Sequence, residues 1–403
     1  MTSPPLTLST SLLTPSPYYF GYDIEAHFTD ALRAHPADKA FFFTERGLLE
    51  GVAGGLYERT REALPTTLKC VPEGERGKGF AALEEVLEGL ITAGATKRSL
   101  LIAMGGGAVG NLVGLAAGLL FRGVRYVEVP TTMTGQTDSV LSNKQAINGK
   151  TGKNQFGLYH APAFVWGDAR YLETEPLSAR RGGVVEGVKN GLIHDPSLLT
   201  TLDHLLEPTL SHTGPALAEL TLTLIRSKLP IIEADPTERG YGLVLEYGHT
   251  FGHALEFLLA GRLLHGEAVG VGMRLAARLS RRLGHIDDAA VALHDRLLVD
   301  RVGLSPRFPA GVTPEALVEA MRADNKRTGA ELRCVLLERV GRCLNPRGDW
   351  LVDVEEATAR AVVAELIEEV GVGDHEGERD RHARAPLEPQ GGRAAPGGRG
   401  AHP

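Results

Sequence analysis

The sequence predicts an N-terminal α/β domain followed by a mostly α-helical C-terminal domain, and three observations predict it. Short apolar runs alternate with helical stretches from about Asp38 to Trp166. A triple glycine, Gly105-Gly106-Gly107, sits between one such run and a helix. Strand-like runs then nearly vanish beyond Glu173. Strand, glycine turn, helix, strand is the pattern of a βαβ unit in a parallel sheet, the Rossmann-like arrangement that carries nucleotide-binding loops.

In chain order, Lys39–Thr44 (KAFFFT) reads as a strand and Leu83–Ala93 as an amphipathic helix. Ser99–Met104 (SLLIAM) is a second strand that runs into the glycines. Asn111–Phe121 reads as a small-residue helix, followed by the strand Arg125–Val129. In the second half, Gly182–Ile193, Ala216–Ile225, Tyr247–Leu259, Ala268–Arg282, Asp287–Val302 and Pro314–Arg322 look helical. One hairpin, Glu331–Leu337 with Arg342–Leu344, interrupts them. The predicted division is a flexible N-terminus at 1–20, the α/β domain at 21–177, the helical domain at 178–370 and a disordered tail at 371–403. The tail is rich in Gly, Pro, Arg and His with almost nothing to bury.

At 403 residues the chain is long enough for more than one core. Its net charge of −7 argues against non-specific nucleic-acid or membrane binding, which needs a basic face, but leaves room for a local phosphate pocket. Three scattered cysteines (Cys70, Cys334, Cys343) without CxxC pairing fit a reducing compartment and argue against a disulfide framework or a cysteine-based zinc site. Residues Met1 to Pro17 carry no Lys or Arg and no continuous apolar stretch, so a cytoplasmic protein is expected.

The glycine turn would let bare amides approach a pyrophosphate at a helix N-terminus, although it lacks full GxGxxG spacing and a packing turn would look the same. The second half holds Glu246-Tyr247-Gly248-His249-Thr250-Phe251-Gly252-His253, then His265-Gly266-Glu267. His249 and His253, at i and i+4, share a helical face and can address one centre, although capping or surface histidines would look the same. His265 opens the next helix, and Glu186 can supply a carboxylate to the same centre. The stretch from Pro130 to Tyr159 is poor in aliphatic residues and rich in donors, among them Asp138, Lys144, Lys153 and Asn154. It reads as a solvated loop or as the wall of a pocket for a polyhydroxylated phosphate ester. Asp324-Asn325-Lys326-Arg327 forms a second basic cluster.

These pieces, in this order, resemble the dehydroquinate synthase superfamily of sugar phosphate cyclases over roughly residues 20 to 365. The matching motifs are MGGGAVGNLVG (104–114), FRG (121–123), VPTT (129–132), DSVLSNKQAIN (138–148), GKN (152–154), VEGVKN (185–190), EYGHTFGHALE (246–256), HGEAVGVGM (265–273) and DNKR (324–327). The resemblance implies a zinc or cobalt ion held by Glu186, His249 and His265, with Lys189 beside it as a catalytic group. It implies that Lys144, Asn154, His253 and Lys326 line the substrate and phosphate pocket, with Lys153 and Lys228 nearby. It also implies that Arg122 reaches a phosphate across the interface of a homodimer. Gly106, Gly107, Thr131, Thr132 and Asp138 would contact NAD, and Glu45, Glu75 and Lys78 its adenosine end.

Within the family, DSVLSNKQAIN, the second histidine of GHTFGH, the LVLEYGHT lead-in and DNKR resemble the cyclases of aminocyclitol antibiotic pathways rather than the valiolone synthases. In dehydroquinate synthases an arginine stands seven residues before the first metal histidine and an asparagine three before it; here those positions are Gly242 and Glu246. The implied reaction turns glucose 6-phosphate into 2-deoxy-scyllo-inosose. Transient oxidation by NAD at carbon 4 is followed by phosphate elimination, reduction and aldol closure. The residues alone also suit a metal-dependent polyol dehydrogenase, which needs no phosphate pocket, and phosphate release without net NADH separates the two. A non-enzymatic scaffold is disfavoured by the intact set of metal ligands and lysines.

Overall fold

The structure, a computed structural model, describes residues 6–9, 16–150, 153–207, 210–259, 262–324 and 332–373. Lys326 and the tail beyond residue 373 lie outside them.

Seven strands form one sheet: β1 (Leu6–Ser9), β2 (Pro17–Gly21), β3 (Ala40–Glu45), β4 (Thr66–Val71), β5 (Leu100–Gly105), β6 (Arg125–Pro130) and, beyond a separate hairpin of β7 (Lys144–Ile147) and β8 (Phe156–Tyr159), β9 (Phe164–Asp168). Their order is β1-β2-β9-β6-β5-β3-β4, parallel throughout except for β1 against β2. The helices of this half are α1 (Phe28–Arg33), α2 (Arg46–Leu49), α3 (Ala53–Ala63), α4 (Phe80–Thr92), α5 (Gly107–Leu119) and α6 (Met133–Thr137). The three phenylalanines of β3 explain why it is apolar without alternation. Phe41 and Phe43 pack with Leu101, Ala103 and the inner faces of α4 and α5, while Phe42 packs on the opposite face with Ile102, Val127 and α1. A parallel strand covered on both faces has no side left for water.

The second half is helical: α7 (Leu177–Ile193), α8 (Pro196–Leu205), α9 (Gly214–Ala234), α10 (His249–Leu258), α11 (His265–Arg282), α12 (Asp288–Asp295), α13 (Pro314–Asp324) and α14 (Glu356–Val370). Small two-stranded ladders join β10 (Phe308–Pro309) to β15 (Val372–Gly373), β11 (Leu332–Cys334) to β14 (Val352–Val354), and β12 (Leu337–Arg339) to β13 (Arg342–Cys343). No described helix is long and apolar enough to cross a membrane.

Several expectations are corrected. Residues 1–20 are not uniformly flexible: Pro17–Gly21 is a sheet strand whose Tyr18 and Phe20 are buried, and its tertiary pairing with β9 overrides a Ser/Thr/Pro-rich composition. The polar stretch 130–159 contains α6 and the β7–β8 hairpin, because its few apolar residues, such as Ile147, alternate onto the sheet core. Helix α9 continues nine residues past Ile225, through Pro230. The expected hairpin splits into two ladders, since Leu332–Cys334 pairs with the distant Val352–Val354. At the predicted start of the tail, Val372 and Gly373 still pair with β10.

Helix α7 is buried on nearly every side, including the charged Glu186 and Lys189. Such a helix runs through a core rather than over it, and its charges require partners there. Two glycine contacts bring the partners in. A Cβ on Gly266 would stand 2.3 Å from the Cα of Gly182, so bare backbone is what lets α7 and the start of α11 touch. A Cβ on Gly272 would stand 2.0 Å from the carbonyl of Gly248, itself at φ +80°, which sets α10 against α11. The first turns of α10 and α11 thereby meet the middle of α7.

Candidate metal and substrate site

At that meeting point the Oε1 atom of Glu186 lies 3.6 Å from Nε2 of His249 and 3.6 Å from Nε2 of His265. This is too long for hydrogen bonds. The buried oxygen has no hydrogen-bond partner among the described residues, and the three ligand atoms all lie within 4.8 Å of one another. An orphaned carboxylate oxygen aimed at two imidazole nitrogens fits a tetrahedral cation such as Zn²⁺ or Co²⁺ with an open fourth position. The other oxygen of Glu186 bonds the buried Lys189 ammonium. Backbone geometry sets His249: its Nδ1 is 3.2 Å from the carbonyl of Tyr247, which can only accept, so Nε2 is left bare toward Glu186.

Electrostatics divide the two imidazoles. Burial and the Lys189 ammonium push His249 down to about 4, so its ring is neutral. Burial also disfavours a charged His265, but the carboxylates of Glu186 and Glu256 outweigh it and push this ring up to about 10. Glu186 is held well below the usual carboxylate range; burial opposes this, and Lys189 and the imidazoles overcome it. The metal-free cluster therefore stores one proton, on His265.

Around this point the structure gathers much of the predicted pocket. The His253 ring centre is 5.3 Å from that of His249 and 6.1 Å from that of His265. Glu246 closes the turn before α10 and faces His249 electrostatically. Lys228, buried on α9, donates to Asp138 Oδ1 at 2.7 Å, and Lys144 on β7 pairs with Glu238 at 2.6 Å. Glu238 stands in the left-handed region at φ +51°, in a loop held by Asp235, which accepts from the amides of Gly240 and Gly242. A Cβ on Gly242 would stand 2.9 Å from the Glu238 side chain.

At the C-terminal edge of the sheet, Gly106 caps α5, whose first residue is Gly107. Thr131 follows β6, and Thr132 caps α6 by accepting from the Gly135 amide. A Cβ on Gly106 would meet Thr132 at 3.4 Å, so the two loops lie against each other. Farther along, Glu45 accepts from the Gly74 amide, Glu75 accepts from Asn148, and Lys78 donates to Asn154. Glu75, Lys78 and Asn148 line a cavity of about 590 Å³ together with Phe80 and Phe156.

One described residue stays apart. Arg122 is exposed beyond the far end of α5, and that helix of 13 residues separates it from Gly106 by about 20 Å. Its loop is tightly turned, with Phe121, Arg122 and Gly123 at φ +53°, +68° and +119°. Sequence reasoning assigned no part to Glu256 or Glu238. Glu256 follows His249 by seven residues and His253 by three, a helical-face spacing that could have found it. Glu238 sits in an irregular loop and left no such signal.

The chain was compared with known proteins. The N-terminal 3-dehydroquinate synthase family matches residues 68–181 and the C-terminal one residues 183–327. A 2-deoxy-scyllo-inosose synthase of Streptoalloteichus tenebrarius is 42% identical over 311 residues, 76% of this chain and 80% of that protein. A 3-dehydroquinate synthase of Xylella fastidiosa is 36% identical over 375 residues, 90% of this chain and 100% of that protein. Among solved structures, a 2-deoxy-scyllo-inosose synthase complexed with carbaglucose-6-phosphate, NAD+ and Co2+ superimposes with a TM-score of 0.83 at 30% identity, covering 89% of this chain and 99% of that one.

Proposed function

Because this chain belongs to the 3-dehydroquinate synthase family, we infer from its site a sugar phosphate cyclase that converts glucose 6-phosphate to 2-deoxy-scyllo-inosose with release of phosphate. The observation that carries the choice of substrate is the charge around His249. A carboxylate, Glu246, precedes it, and Gly242 brings no cation, so the pocket favours a neutral polyol over a substrate bearing its own carboxylate. The 2-deoxy-scyllo-inosose synthases among the relatives support the same reading.

Bound NAD supplies reversible hydride acceptance at carbon 4 of the sugar, and a divalent metal supplies Lewis acidity to the oxygens around that carbon. Glu186, His249 and His265 hold the metal. The amides of Gly106 and Gly107, at the N-terminus of α5, cradle the pyrophosphate. Thr131, Thr132 and Asp138 contact the NAD, and Lys228 holds Asp138 in place by donating to its Oδ1. Glu45, Glu75 and Lys78 take the adenosine end.

Lys189, buried against Glu186, offers a fixed positive charge where oxyanion character develops. Glu246 accepts a hydrogen bond from a sugar hydroxyl. Lys144, Lys153, Asn154, His253 and Lys326 hold the phosphate, and the phosphate itself can take the carbon 5 proton before it leaves, with His253 steadying that proton. Incubation with glucose 6-phosphate, NAD and cobalt should release one phosphate per sugar, accumulate no NADH and yield a six-carbon carbocyclic ketone by NMR. Net NADH formation without phosphate release would instead mark a polyol dehydrogenase.

In this reading the enzyme works as a homodimer in which Arg122 serves the pocket of a second copy of the chain, as the family resemblance implies; its place about 20 Å along α5 from Gly106 supports this. A mixture of Arg122→Ala and His249→Ala protomers, each inactive alone, should recover activity through mixed dimers in which one pocket has every part. A mixture as inactive as its components would place Arg122 outside the site.

A further inference from the structure

We propose that Glu256 is a positioning residue that fixes the ring of His265 for metal binding; the inference rests on the metal site proposed above. Glu256 lies one face along α10 from His249 and His253, two turns and one turn on, where it meets the N-terminus of α11. Its Oε2 is 3.0 Å from Nδ1 of His265, and its Oε1 is 2.8 Å from the ammonium of Lys153. The carboxylate is itself nearly buried, with 9% of its side chain exposed.

The geometry settles which way His265 faces. A deprotonated carboxylate can only accept, so Nδ1 carries the hydrogen and Nε2, 3.6 Å from Glu186 Oε1, is the nitrogen left for a metal. A carboxylate behind an imidazole also raises the basicity of the coordinating nitrogen, and a neutral carbonyl does so less. His249 has only the Tyr247 carbonyl behind it, so His265 becomes the more strongly donating ligand of the two.

His253, Glu256 and His265 also lie close enough together to form a ligand set of their own. Glu256 is poorly placed to serve it, because both its oxygens are engaged, one by the Nδ1 hydrogen of His265 and one by the Lys153 ammonium. Glu256 therefore supports the metal centre from behind. The same side chain ties Lys153, from the GKN segment, to the ring that holds the metal.

The test measures cobalt binding to protein stripped with a chelator, without substrate, by competition with a chromophoric chelator and by the visible spectrum of the bound Co²⁺. Glu256→Gln keeps an oxygen that can accept from Nδ1 and should weaken cobalt binding about 10-fold, whereas Glu256→Leu should weaken it about 100-fold and alter the spectrum. Lys153→Met removes a half-exposed ion pair and should leave cobalt affinity within about twofold. The near-isosteric Gln variant keeps the test readable should the Leu variant fail to fold. Unchanged affinity and spectrum in both Glu256 variants would overturn the proposal. So would a Lys153→Met variant as impaired as Glu256→Leu, since the effect would then belong to the docked segment. Absence of cobalt uptake by the unaltered protein would overturn the metal site itself, a separate outcome.

Discussion

Alanine at Glu186, His249 or His265 is expected to remove bound metal and turnover together, lowering kcat by at least about 10³-fold. Lewis-acid polarisation of a carbonyl or alkoxide is worth several kcal/mol, and each 1.4 kcal/mol is a tenfold change in rate. The three side chains come from α7, α10 and α11, and their ligand atoms all lie within 4.8 Å of one another. Chelation of the intact enzyme should have the same effect, reversed by zinc or cobalt.

The affinity for metal should also rise with pH. His265, pushed up to about 10, keeps its proton in the metal-free protein, while His249, pushed down to about 4, has none to lose. Metal binding must therefore expel one proton, so the apparent dissociation constant should fall about tenfold per pH unit between roughly pH 5 and 9. Calorimetry in buffers of different ionisation enthalpy reads the released proton directly. Full activity in a preparation free of metal would sink the assignment of all three ligands.

Glucose 6-phosphate is expected to turn over, and the deoxy-heptulosonate phosphate used by dehydroquinate synthases to do so about 10²–10³-fold less efficiently in kcat/KM. The missing cation at Gly242 forfeits a charge-assisted hydrogen bond to the heptulosonate carboxylate, worth roughly 1.5–3 kcal/mol. Glu246 then adds like-charge repulsion in a partly desolvated pocket. Glucose 6-phosphate carries no carboxylate and meets neither penalty. Space closes the simplest route back: a side chain at Gly242 would run into Glu238, whose own carboxylate holds Lys144. Glu246→Gln should lower kcat/KM for glucose 6-phosphate about 10- to 100-fold, by weakening one charge-assisted hydrogen bond, with metal content unchanged. Efficient conversion of the heptulosonate to dehydroquinate would refute this account of Gly242 and Glu246.

The sequence by itself determined the order of the parts. The βαβ start, the glycines at the end of β5 and the helices that follow are local patterns, because burial on both faces of a parallel strand and on one face of a helix leaves a direct trace in which residues are apolar. The pairing of His249 with His253 is likewise local, set by one helical turn. Composition misjudged the N-terminal strand, whose pairing with β9 comes from residues distant in sequence, and left 130–159 open between loop and pocket wall, because the packing of Ile147 on the sheet core is a tertiary contact. The cluster of Glu186, His249 and His265 is the clearest case of what only the tertiary structure decided. Glu186 and His265 lie 79 positions apart and meet because Gly182 and Gly266 let two helices touch at backbone distance. The partners of the charged side chains were decided there as well. Glu256 behind His265, Glu238 on Lys144 and Asp138 on Lys228 are contacts between separate elements, and a buried charge is tolerable only once the fold has brought its counter-charge to it.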